Sequence, residues 1–332
     1  MSRALVTGAT GLIGSHIVER LLGDGWSVRA LVRSPSKDDE SLGADIVRGD
    51  VLDRDDFVRF AAGCDAIFHT AAAITTAGGW EVFRHLNVDG TANAIAAAES
   101  SGARLLQLSS VAVYGPSGRY SGPGKKTSED TVLGPLPERA YYARSKRESE
   151  QMVLAAHAAG RIWATAVRPN VVYGRRDRQF VPRIAKLLRR GIVPLIGGGR
   201  TTFSVTHAAN VADGAVRAVA SDIAGGRAYN LANDFEVTVR RFFELAGEGL
   251  GTRVRFIPVP LPVAKGVFKF VKSTSRILTG GQFNVISNAS LGMLTRDNPF
   301  TSDRARLELG WSPTVRPEHG IPEAFRWWTT HH

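Results

Sequence analysis

One short turn constrains the start of this chain more than any other feature. Thr7-Gly8-Ala9-Thr10-Gly11-Leu12-Ile13-Gly14 follows the apolar run Ala4-Leu5-Val6, which reads as a buried strand. It opens a segment in which Ile13, Ile17, Val18, Leu21 and Leu22 recur at helical spacing. Strand, glycine turn and helix together form the setting that a dinucleotide pyrophosphate needs. Gly8 takes the tight turn, Gly11 lets the phosphates approach the backbone, and Gly14 lets helix and strand pack closely. The helix N-terminus adds free N–H groups and the positive end of its dipole. Glycine turns also join strands to helices where no ligand binds, so the rest of the chain must decide.

Strand and helix signals alternate through the first half. Residues 27–32, 44–48, 66–69 and 104–108 read as strands, with helical patterns at 53–62 and 80–100. That alternation predicts a doubly wound α/β fold, a parallel sheet with helices on both faces. At 332 residues the chain exceeds a single ordinary domain. We divide it into a dinucleotide-binding Rossmann domain over 1–170, with a returning segment at about 202–232, and a smaller substrate-binding domain from 171–201 and 233–330. The Gly/Pro/Lys/Ser-rich stretch from Gly115 to Pro137 reads as a long loop of the kind that covers active sites.

The end of the second strand distinguishes the two nicotinamide dinucleotides. A carboxylate there would accept ribose hydroxyls, but the chain has Arg33, then Ser34 and Lys37, with its first acids at Asp38 and Asp39. Arg33 and Lys37 suit a 2′-phosphate, so NADP(H) is favoured over NAD(H). Asp50 and Val51, past the third strand, are placed for an adenine edge. Thr70, Ala71 and Ala72, past the fourth, form a small-residue bend under the cofactor.

Tyr142-Ala143-Arg144-Ser145-Lys146 carries the strongest local chemistry. Four residues apart on a helix, phenol and ammonium share a face. A neighbouring cation is expected to lower the tyrosine pKa and fit it for proton transfer. Ser109 and Ser110 close the fifth strand at the carboxyl edge of the sheet, where doubly wound folds bind ligands.

With these residues in place the chain resembles the extended short-chain dehydrogenase/reductases over nearly its whole length. The resemblance rests on the turn at Thr7 to Gly14, Gly49 to Asp53, Phe68 to Ala72, Asn87-Val88-Asp89-Gly90-Thr91, Ser109-Ser110 through Val113-Tyr114-Gly115, Tyr142 to Lys146, and Arg168-Pro169-Asn170-Val171-Val172-Tyr173-Gly174. It implies an NAD(P)(H)-dependent oxidoreductase that moves a hydride to or from a secondary alcohol or ketone. Tyr142 would be the general acid/base, Lys146 its tuner and ribose ligand, and Ser110 the hydrogen-bond partner of the reacting oxygen. Cofactor contacts would come from Gly8, Thr10, Gly11, Leu12, Ile13, Gly14, Arg33, Lys37, Asp50, Val51, Thr70, Ala71, Ala72, Ser109, Tyr142, Lys146, Pro169, Val171 and Val172. Asn87 matches the family's helix asparagine, with catalytic and structural roles both open. The family often dimerises through the helices holding Asn87 and Tyr142, so a homodimer is expected.

Two subfamilies compete for the substrate. Galactose-epimerase-like enzymes place an arginine for the sugar diphosphate where this chain has Phe203, and a sugar-contacting asparagine where it has Val171. Arg200 is three residues from Phe203 and expected on the opposite face of an extended strand. These replacements favour a hydrophobic or ring-bearing substrate, as in the 3β-hydroxysteroid dehydrogenase and dihydroflavonol reductase-like group, over a nucleotide sugar. Thr75, Ser110, Asn170 and Phe203 are the candidate substrate contacts. A third reading, a non-catalytic NADP(H) sensor, sits poorly with an intact Ser110, Tyr142 and Lys146.

Charge and composition set the remaining bounds. The formal charge is +11. Its basic residues read as dispersed, in groups no denser than Arg175-Arg176 and Arg189-Arg190, so nucleic acid is not expected as a partner. The segment from Val254 to Val271, helical from about Leu261, is amphipathic and basic with Lys265, Lys269 and Lys272. A core-facing helix is the favoured reading, and contact with an anionic membrane surface the second. A single cysteine, Cys64, fits a reducing compartment. With no signal peptide and no spanning segment recognised, a cytoplasmic location is expected. His207 and His319 lack metal-ligand partners at suitable spacing and are read as structural, so no metal is expected.

Overall fold

The computed structural model describes residues 2–74, 79–115, 125–264, 266, 292 and 294–332. The side chains of Lys37, Asp38 and Asp39 lie outside that description, as do Thr75, Lys265, Lys269, Lys272 and most of the expected basic helix beyond Leu261. The first part of the expected cover loop, 116–124, falls outside it too.

The first strand, β1 (Arg3–Thr7), is apolar and buried from Ala4 onward, and the glycine turn delivers the chain into α1 (Leu12–Gly23). From there strand and helix alternate as the sequence predicts: β2 (Ser27–Val32), β3 (Asp45–Arg48), α2 (Arg54–Ala61) and β4 (Ala66–His69). Asp53 caps α2 by accepting the Asp56 N–H. The expected helix at 80–100 is three pieces: α3 (Gly79–Phe83), a π-helical segment (Arg84–Asp89) and α4 (Gly90–Ser101). β5 (Arg104–Leu108), α5 (Tyr141–Ala158) and β6 (Ala164–Pro169) follow.

The chain then crosses into a second lobe with β7 (Val171–Tyr173), α6 (Phe180–Leu188) and β8 (Ile192–Ile196). It returns through β9 (Val205–His207), α7 (Ala208–Ala220) and β10 (Ala228–Leu231). It leaves again through α8 (Val239–Leu250) and β11 (Arg255–Val259), and ends in α9 (Asp303–Leu309) and α10 (Pro317–His331).

Seven parallel strands form the main sheet in the order β10-β6-β5-β4-β1-β2-β3. The order reverses between β1 and β4, and the carboxyl ends at such a switch point make a crevice for ligands. One face packs Ile17, Val18 and Leu21 of α1 with Val211 and Ala215 of α7. The other packs Phe57 of α2, Ala94 and Ile95 of α4 and Val153 of α5. The second lobe has its own core of Val181, Leu188, Phe203, Phe242, Phe325 and Trp328. Two small parallel sheets complete the fold, β7 with β9 and β8 with β11. The expected returning segment, 202–232, holds β9, which pairs with β7 in one of these small sheets, and β10, which joins the main sheet beside β6.

Candidate active site

Gly8 stands at φ +66°, a conformation that costs an L side chain strain, and a Cβ there would lie 2.8 Å from the Ala71 backbone nitrogen. At Gly14 a Cβ would lie 2.1 Å from the Gly8 carbonyl oxygen. The turn closes with the Gly11 N–H donating to that oxygen at 2.9 Å. No side chain caps α1 and no acid occupies its first turn, so the N–H groups of Leu12, Ile13 and Gly14 remain for a ligand. This is a cradle only backbone can line, and it suits a pyrophosphate.

Thr7 ties the two central strands together beneath it. Its hydroxyl accepts from the Thr70 and Ala71 N–H groups at 3.2 and 3.3 Å and contacts His69 Nδ1 at 2.9 Å, while the Thr70 hydroxyl donates to the Thr7 carbonyl at 2.6 Å. With two amides already donating to it, the Thr7 hydroxyl gives its own proton to His69 Nδ1. The ring proton then sits on Nε2. Thr70 and Ala71 therefore supply shape to the floor of the crevice, their N–H groups and the Thr70 hydroxyl being spent on β1. Asp50 accepts the Leu52 N–H, and the Val51 carbonyl accepts from Asn93. Arg33 is exposed at the end of β2. Thr10, Leu12 and Ile13 are half-buried in the turn, Pro169 is buried at the end of β6, and Val171 and Val172 are half-buried. Ser109 is 2% exposed and its hydroxyl has no partner among the described residues.

At the end of β5 the Ser110 hydroxyl accepts the Ala112 N–H at 3.2 Å and shares a hydrogen bond with the Tyr142 phenol. One turn further along α5, Lys146 is buried and its Nζ donates to the Leu108 carbonyl at 2.7 Å. Serine, tyrosine and lysine thus meet at the carboxyl edge of the sheet. The expected direction of the tyrosine shift is corrected. Burial raises the Tyr142 pKa, the Ser110 hydrogen bond opposes it, and the lysine is committed to a backbone carbonyl. Burial brings Lys146 down to about 8, against the attraction of Glu150. His69 is held at about 3 by burial and by repulsion from Lys146.

Asn87 acts on position. Its Oδ1 accepts the Ala73 N–H at 2.7 Å, and its Nδ2 donates to the Ala73 carbonyl and the Ser145 hydroxyl. Its own carbonyl, freed by the π-helical turn, accepts from Thr91 and Ser149. The asparagine holds the chain leaving β4 against α5. Asn170 is similarly occupied, donating to the Ala232 carbonyl and accepting from Thr206. Phe203 is 3% exposed and packs against Phe180 and Phe242, so this candidate substrate contact belongs to the second lobe's core. Arg200 closes a 3-10 turn at 197–199 rather than standing on a strand.

Sequence reasoning gave no role to Glu150, Tyr114 or Arg168. Arg168 forms a bidentate ion pair with Glu150, one turn after Lys146, and donates to the Tyr114 hydroxyl at 2.8 Å. That hydroxyl donates to Asn230 Oδ1, and Asn230 Nδ2 reaches the carbonyls of Thr127 and Thr301. A charged residue inside the apolar strand Ala164–Pro169, with an acid four residues after the lysine, was the available signal.

The family model for the NAD dependent epimerase/dehydratase family matches residues 4–232. The chain is 33% identical to a 2-alkyl-3-oxoalkanoate reductase of Stenotrophomonas maltophilia, covering 96% of this chain and 97% of that protein. It is 31% identical to the 4-hydroxy-2-methyl-3-oxo-4-farnesyl-3,4-dihydroquinoline-1-oxide ketoreductase of Stigmatella aurantiaca, over 96% of this chain and 94% of that protein. Among solved structures, MoeE5 in complex with UDP-glucuronic acid and NAD superposes over all of both chains with a TM-score of 0.73 at 23% identity, a likeness of fold.

Proposed function

The chain belongs to the NAD-dependent epimerase/dehydratase family, the extended short-chain dehydrogenase/reductases, and from that premise we propose that it is an NADPH-dependent reductase of a ketone on a hydrophobic, long-chain or ring-bearing molecule. The single observation that carries the reading is the hydrogen-bonded pair of Ser110 and Tyr142, a half-buried residue whose phenol keeps its proton because it is poorly solvated. A neutral phenol is an acid, and it suits the direction in which a carbonyl oxygen gains a proton.

The glycine cradle fits a dinucleotide, and when bound the nicotinamide supplies the hydride. Ser110 orients the carbonyl oxygen, Tyr142 donates its proton to that oxygen, and the Lys146 cation steadies the phenolate left behind. Arg33 and Lys37 support a 2′-phosphate, and Arg33 has no carboxylate partner among the described residues. Substrate class is supported by Phe203 standing where galactose-epimerase-like enzymes place an arginine for the sugar diphosphate, and by the ketone reductases the chain resembles.

The test is NADPH oxidation against a panel of a 2-alkyl-3-oxoalkanoate, a 3-ketosteroid and UDP-glucose. Turnover is expected with a lipophilic ketone. Tyr142→Phe should lower kcat by on the order of 10²–10⁴ while leaving NADPH binding intact. Arg33→Asp should weaken NADPH binding about tenfold or more and spare NADH. Tightly retained NAD with turnover of the nucleotide sugar alone would mark an epimerase or dehydratase. Tight NADPH binding with a blank panel would mark a sensor.

A further inference from the structure

The positive charge of this chain is concentrated. Residues 178–212 and 253–296 hold thirteen lysines and arginines and no aspartate or glutamate, so the other 253 residues net −2 within a whole of +11. The basic residues themselves remain dispersed, and the contrast in net charge comes from the absence of acids in these two stretches. These two stretches supply β8 and β11, which pair in parallel as a sheet of their own.

Their register sets Ile192 beside Arg255, Pro194 beside Ile257 and Ile196 beside Val259. Side chains alternate along a strand, so these six residues share one face. The reverse face turns Val193 and Leu195, 1% and 3% exposed, into the core of the second lobe. The outer face is left open. Ile192 is 49% and Ile257 51% exposed, and Val263, just past β11, is 53% exposed. Arg190 leads into β8, Arg253 leads into β11, and Arg255 stands on the face itself. All three are exposed, with no carboxylate partner among the described residues.

We propose that the outer face of the β8–β11 sheet docks on an anionic lipid bilayer, its isoleucines entering the headgroup boundary and its arginines meeting lipid phosphates. Isolated exposed apolar side chains are ordinary on a protein surface. A cross-strand group of them with Arg255 on the face and Arg190 and Arg253 leading into its strands, in chain segments without a single acid, is the pattern of an interfacial contact. A nucleic acid would call for aromatic side chains on which bases stack, and none stands among these six. The face uses no residue of the catalytic or cofactor machinery.

The test sediments the full chain with vesicles of phosphatidylcholine alone and of equal phosphatidylcholine and phosphatidylglycerol. Binding is expected to the anionic vesicles only, with release as salt is raised. The triple variant Arg190→Glu, Arg253→Glu, Arg255→Glu should weaken partitioning by about a hundredfold or more, and Ile192→Ser with Ile257→Ser by about tenfold. NADPH binding and the thermal midpoint should stay unchanged in both. Failure to bind anionic vesicles overturns the proposal. So does binding that both variants retain in full, or binding to a single-stranded oligonucleotide that exceeds vesicle binding and is lost in the arginine variant.

Discussion

Tyr142 holds its proton and Lys146 is poised to lose one. With the lysine brought down to about 8 from 10.5, its cation is present at neutral pH and gone above that value. The proposed ketone reduction needs both the phenolic proton and the cation, so kcat/KM for reduction should hold steady near pH 7 and fall as pH rises through about 8. A pH–rate profile checks this. His69 and His207, both at about 3 through burial, make a second pH prediction. A histidine whose folded pKa lies below its unfolded value of 6.5 adds stability above pH 6.5, which is lost as pH falls toward 3. Each should therefore cost about 2 kcal/mol at pH 5, and His207→Gln should remove its share of the difference between urea midpoints at pH 7 and pH 5. The identities of Ser110, Tyr142 and Lys146 were legible in the chain because the spacing within a helix and the end of a strand are local facts. The direction of the tyrosine shift was not, because desolvation depends on the folded surroundings and not on spacing along one helix.

At the scale of elements, the glycine turn and the π-helical segment do most to shape the crevice. Gly14→Ala would drive a methyl into the Gly8 carbonyl, and NADPH affinity, read by fluorescence titration, should fall tenfold or more. Asn87→Ala leaves the Ala73 amide and carbonyl and the Ser145 hydroxyl short of a partner. It should cost about 2–4 kcal/mol by urea denaturation, with kcat lowered as well. Breaking the buried ion pair by Glu150→Gln should cost about 3–5 kcal/mol, while replacing both partners with apolar residues should cost less. Strands and helices of the main sheet could be read from alternation because each is amphipathic or apolar by itself. The π turn carried no such signal, since apolar spacing across residues 80–100 reads as one helix. Nor did the β8–β11 pairing, where the partners lie far apart in sequence and nothing local in either names the other.

The whole molecule is two cores joined by a chain that crosses between them more than once. Resemblance to a family was the ground for expecting a dinucleotide-binding and a substrate-binding domain. What could not be seen in one dimension was how the pieces fasten. Tyr114, Arg168 and Asn230 lie far apart in sequence and link α5 to the 125–129 segment and to the stretch before α9. The Thr127 N–H donates to the Pro299 carbonyl, and the Thr127 carbonyl accepts from Thr301. On a translating ribosome this sets an order of events. Once residue 231 has emerged, every strand of the main sheet is available to form, yet the backbone of Thr127 must wait for the chain near Thr301 before it can be clasped. A nascent chain paused between those two points would carry a finished nucleotide cradle beside an unfastened loop, and a protease added at that moment should cut near Thr127 and spare the sheet.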